Sequence, residues 1–81
     1  MENTTARRNV QAITDIRIGE VIKANRKLRR LTLDELGTAV GLTHSSIANF
    51  ESGRRTLTRE RADALANVLG INPRVLDPEA A

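Results

Sequence analysis

The sequence predicts an all-α fold, a compact bundle of four to five short helices (four helices and a terminal turn), on three observations. Helix starts and stops recur along the chain, apolar residues return at spacings of three and four, and no strand-like alternation or internal repeat occurs. At 81 residues there is room for one small core. Phe50 is the sole aromatic residue, so that core must be aliphatic.

The elements follow in order. Thr14 suits an N-cap, with Ile13 and Ile18 as its hydrophobic staple, and a helix from about Asp15 to Arg30 would line up Ile18, Val21, Ile22 and Leu28. Gly19 inside it costs ~1 kcal/mol relative to Ala, so either the helix packs closely there or it begins later. Residues 1–13 form an N-terminal arm or a helical extension, since Ala6 to Ala12 carry no visible cap but could prolong the helix.

Thr32-Leu33-Asp34-Glu35 fits a capping box, with Leu31 and Leu36 as staple and Gly41 as the left-handed stop. Thr43 caps the next helix, Leu42 and Ile47 are its staple, and Gly53 ends it. Thr58 opens a longer helix through Ala62, Leu65, Ala66 and Leu69 to Gly70. Asn72-Pro73 then reads as N-cap and first-turn proline, with Ile71 and Leu76 around one last turn. The bundle spans residues 14–77, and 78–81 are a tail.

Composition excludes several classes. With 0 Cys and 1 His, thiolate sites and disulfides are impossible, and a zinc ion would need three carboxylates beside that histidine. No metal or other cofactor is expected. One aromatic residue nearly excludes a base-stacking platform of the single-strand-binding kind. No apolar run approaches the ~18 residues of a membrane span, and Met1 to Thr5 lack the basic-then-apolar layout of a signal peptide. The expectation is a cytoplasmic protein that is not an enzyme: no paired-carboxylate cleft is evident, and Asp34 and Glu35 read as helix-start charges.

The net charge of +3 is unevenly spread. Residues 1–31 hold a net +5, 32–52 a net −3, 53–62 a net +3 and the remainder a net −2. Two basic blocks thus flank a stretch with few charges, which favours a polyanion partner. A total of +3 is small for a nucleic-acid binder, and on charge alone a solvated surface explains the pattern slightly better.

The informative unit is Thr32 to Gly53, two short helices joined by Gly41-Leu42-Thr43. So short a connection makes them cross steeply, and Gly37 stands where their backbones should approach. On the second helix Ile47 and Phe50 point inward. The opposite stripe is His44, Ser45, Ala48, Asn49 and Ser52, every member small or polar and none formally charged. A helix entering the major groove needs such short donors and acceptors: Asn49 can bridge adenine, Ala48 can meet a thymine methyl, and His44 and Ser45 can reach bases or phosphates. Each residue alone also fits an ordinary solvated helix, but the whole stripe between two arginine clusters fits that less well.

With these residues in view, positions 18–76 resemble the phage repressor and Cro-type helix-turn-helix domain of the xenobiotic-response-element-like regulators, with its lambda-repressor-like fold. The resemblance is carried by Ile22-Lys23-Ala24-Asn25-Arg26, Leu31 to Leu36, Val40 to Ile47, Phe50 to Arg55, Leu65-Ala66 and Leu69-Gly70-Ile71, in matching order and spacing. It implies that the helix after Thr43 is the recognition helix, that His44, Ser45, Ser46 and Asn49 contact bases, and that Thr43, Arg54 and Arg55 contact the DNA backbone. It also implies an ion pair between Arg26 and Glu51, whose helix side is that of Ile47. Two positions depart from the pattern. Members usually carry alanine at Gly37, and often a phosphate-bonding polar residue at Leu33.

The function implied is a sequence-specific regulator binding a double-stranded DNA operator, a small Cro-like repressor with helix 43–52 in the major groove of a pseudo-palindrome. The alternative is an antitoxin-like module that binds a protein partner through residues 1–16. Family members usually pair as two-fold homodimers, which DNA would complete here. Ile71, Val75 and Leu76 are the favoured contact. Residues 6–16, with Val10, Ile13 and Ile16, are the second, although Val10 and Ile13 could instead fold back near Val21 or Leu28.

Overall fold

In order, α1 spans Thr4–Leu28, α2 Leu33–Val40, α3 His44–Glu51 and α4 Arg59–Leu69, followed by a 3₁₀ turn at Pro73–Leu76. The structure is a computed structural model; it describes residues 4–77, with side chains from Gln11 to Asp77. The tail at 78–81, the first three residues of the arm and the side chain of Val10 lie outside the described residues.

Local chemistry sets the boundaries of α2, α3, α4 and the last turn. Thr32, Thr43 and Thr58 each hold extended backbone and accept from the N–H three residues on, so one orphan donor per helix is satisfied. In α2 the box is reciprocal, because the Glu35 carboxylate also accepts from the Thr32 N–H at 2.8 Å. Asn72 caps the 3₁₀ turn, with Pro73 at its start. Gly41 and Gly70 close α2 and α4 in the left-handed region.

The first helix takes the helical extension of the two readings of the arm, from Thr4, and ends earlier than expected. Thr14 is an interior residue and not a cap, because α1 is already continuous from Thr4. Its end comes at Leu28, before Arg30, which is left-handed at φ 58° while the Leu31 N–H reaches back to the Arg26 carbonyl at 3.0 Å. Leu28 was expected inward and is 79% exposed. At ~100° per residue it lies about 120° around the helix from Ile22. Because residues 4–28 are one helix, Ile13 cannot fold back onto α1, and it and Ile16 are exposed.

The core joins Ile18 and Ile22 of α1, Leu36 of α2, Ile47 and Phe50 of α3, Leu57, and Ala62, Leu65, Ala66 and Leu69 of α4. Leu76, expected at a subunit contact, is fully buried in this core, and of its two companions Val75 is exposed and Ile71 half-buried. Two glycines answer to close packing. A Cβ on Gly19 would stand 2.5 Å from the Phe50 carbonyl oxygen, so α1 presses directly on the end of α3. A Cβ on Gly37 would stand 2.5 Å from the Leu42 carbonyl oxygen, so α2 lies against the turn that feeds α3.

Candidate nucleic-acid interface

Helix α3 is oriented by what it buries. Ile47 is fully buried and Phe50 nearly so, which turns His44, Ser45 and Ser52 to the surface, with Ala48 and Asn49 half-buried beside them. No acidic residue stands in its first turn. Thr43 is exposed and engaged with its own helix: its hydroxyl accepts from the Ser46 N–H at 3.2 Å and donates to the Ser46 hydroxyl at 3.1 Å. Ser46 is thus half-buried against Thr43 and set apart from the stripe of His44, Ser45 and Asn49. His44 approaches α2, with Nδ1 3.3 Å from the Asp34 carboxylate, and both side chains are largely exposed.

The far end of α3 is fixed by a two-point ion pair. Arg26 donates Nε to Glu51 at 2.6 Å and a terminal nitrogen at 3.1 Å, and its other terminal nitrogen to the Leu31 carbonyl at 2.8 Å. The two side chains are 11% and 7% exposed. The hydrogen bond to Glu51 raises the Arg26 guanidinium pKa above its already high value, against the opposing effect of burial. This pair ties the end of α3 to α1 in the orientation that burial of Ile47 and Phe50 already selects.

Past α3, the loop at 52–58 folds under the helix end. The Asn49 carbonyl accepts from the Arg54 N–H at 2.9 Å, the Arg55 N–H at 3.3 Å and the Ser52 hydroxyl at 3.1 Å. Arg54 and Arg55 are exposed, and the Arg55 guanidinium lies 5.2 Å from the centroid of the Phe50 ring, a cation–π distance. Leu57 then plugs the core and Thr58 starts α4.

The structure also holds a group that sequence reasoning missed. Asp15, 8% exposed, accepts from Gln11 at 2.9 Å and from the Thr56 hydroxyl at 2.7 Å. No local signal marks this contact, because Asp15 and Thr56 are 41 positions apart.

The surface so built offers short donors and acceptors on one helix face and two guanidinium groups on the loop at its end, which is chemistry for base edges and phosphates. Among the described residues no group of three or more His, Cys, Asp or Glu could hold a metal, and no helix is long and apolar enough to cross a membrane. A helix-turn-helix family model matches residues 22–76. No curated protein and no solved structure matches the chain. The match covers most of the chain, which belongs to the helix-turn-helix family of xenobiotic-response-element-like, Cro- and CI-type regulators, a DNA-binding regulatory family whose members are not typically enzymes.

Proposed function

We propose that this helix-turn-helix regulator is a small Cro-like repressor that lays α3 in the major groove of a pseudo-palindromic operator. The observation that carries the proposal is the outward stripe of α3, short and polar, with no acidic residue in its first turn. His44, Ser45 and Asn49 read base edges from it, and Asn49 is suited to a bidentate contact with adenine. Ser46 and Thr43 lie at the edge of the stripe, where Thr43 meets the backbone and Ser46 takes the more marginal base contact. Arg54 and Arg55 hold phosphates and set the register without reading sequence.

One domain reads half a site, so two copies bind about one helical turn apart. Val75 and Ile71 remain available for that pairing, whereas Leu76 is held in the core. DNA as partner puts the site of action in the cytoplasm of a prokaryotic cell or phage-infected host. Selecting bound sites from a random duplex pool tests the proposal: recovery of a two-fold symmetric motif is expected, and a pool that stays unenriched would count against it.

A second reading, an antitoxin-like protein that binds a partner through residues 1–16, is favoured by the exposure of Ile13 and Ile16 on a helical segment preceding the family match. Salt separates the two. Binding through six or more phosphates loses orders of magnitude in affinity between about 50 and 200 mM, whereas an apolar protein contact changes little.

A further inference from the structure

We infer that the part of α1 preceding the family match is a positioning element for DNA binding: Asp15 and Ile16 clamp the 52–58 loop and so aim Arg54 and Arg55. The inference rests on the reading of those two arginines as phosphate contacts.

Three contacts build the clamp. The first is the Asp15–Thr56 hydrogen bond at 2.7 Å, between a nearly buried carboxylate and a loop hydroxyl. Gln11, one helical turn back, donates to the other carboxylate oxygen at 2.9 Å and holds Asp15 in that orientation. The second is the seat of Gly53 on Ile16. A Cβ on Gly53 would stand 2.7 Å from Ile16 Cγ1 and 3.0 Å from Ile16 Cα, and the glycine has φ +81°. The third is Gly19 against the last carbonyls of α3. Gln11, Asp15, Ile16 and Gly19 all precede residue 22, where the family match begins.

Arg54 and Arg55 lie between the two loop anchors, Gly53 on one side and Thr56 on the other. Their own amides are tied to the Asn49 carbonyl, and Thr56 supplies the side-chain hydrogen bond between this segment and α1, beside the contact of Gly53 with Ile16. A loop held at both ends presents two guanidinium groups at a fixed place relative to the α3 stripe. Without the Thr56 bond the loop keeps its anchors at Gly53 and at buried Leu57 but loses the side-chain tie beside Arg55, so the two arginines have a wider range of placements and part of the ordering cost falls on DNA binding.

The experiment measures affinity of the full chain for a non-specific duplex across a salt series, for the wild type, Thr56→Val, Thr56→Ser, Arg54→Ala with Arg55→Ala, and the combination of Thr56→Val with both arginine changes. Thr56→Val removes the hydroxyl without changing charge or much volume. It is expected to lower the salt slope by about 0.9, one phosphate contact, and to weaken binding about fivefold near ~150 mM salt. Thr56→Ser should restore both. On the double-alanine background Thr56→Val should have no further effect, because the groups it aims are gone. If Thr56→Val lowers the melting temperature but leaves slope and affinity at wild-type values, the clamp is only structural and the inference fails. If the arginine pair itself leaves the slope unchanged, the phosphate reading fails and takes the inference with it. Should Thr56→Val not fold, Gln11→Ala, which loosens Asp15 from outside, is expected to give the same change at smaller size, and an unchanged slope there would overturn the clamp.

Discussion

Helices α2 and α3 begin on one plan and are finished differently. Each has eight residues, a threonine N-cap and a leucine before the cap. In α2 the first turn carries Asp34 and Glu35, and Glu35 completes a reciprocal capping box. In α3 the residue corresponding to Glu35 is Ser46, and no acid replaces it. The positive end of the α2 dipole is therefore complemented by its own first turn, whereas α3 carries no acid of its own there and has only Asp34 of α2 near it, 3.3 Å from His44 Nδ1. Their far ends differ too. Left-handed glycines follow both, Gly41 after α2 and Gly53 after α3, but only the end of α3 is also tied to α1, through Glu51 and Arg26. The shared threonine cap thus marks where each helix begins, and the residue three positions on distinguishes the two.

The sharpest way to break this contrast is at the tie that α2 lacks. Arg26→Ala or Glu51→Ala leaves a nearly buried charge without its partner and should cost ~3–5 kcal/mol in urea unfolding. The double variant should lose much less than the two single losses combined, and strict additivity would dispose of the coupling. Next in size is the outward face. Asn49→Ala should weaken the selected operator by about 1–3 kcal/mol and leave random duplex nearly unchanged; equal loss on both would deny Asn49 a role in reading bases.

The caps come third. Thr32→Ala should cost ~1 kcal/mol of stability, with DNA affinity per folded molecule unaltered, since that cap serves α2 alone. A fall in affinity at constant fold would mean that α2 also touches DNA. Smallest in stability, and the most direct test, is Ser46→Glu, which copies the box of α2 into α3. It should stabilise the fold by roughly 0.3–1 kcal/mol while weakening every duplex, because on the proposed reading the acid would stand at the helix end that faces the DNA backbone. Gains in both would contradict the division of labour between the two helices.

The features legible in the sequence share a range of a few residues. Thr32, Thr43 and Thr58 bond donors three positions on, and Asn72 one two positions on, so each start is written in consecutive letters. The inward set of Ile47 and Phe50, and with it the outward stripe, follows from helical period alone. The extent of α1 was not legible: Thr14 has the chemistry of a cap, and continuation to Thr4 overrides it. The exposure of Leu28 was legible in principle, since the helical period sets it about 120° from Ile22, but its apolar side chain pointed the reading inward.

By itself, then, the sequence determined where α2, α3 and α4 begin and which residues of α3 face outward, since hydrogen bonds over three residues and a period of 3.6 are local. The close approach at Gly37 was already legible in the short connection, whereas only the tertiary structure decided that Leu76 belongs to the core and that Asp15 reaches Thr56. Those contacts depend on how the helices pack against one another in space, and a partner 41 positions away leaves no mark in the letters around either residue.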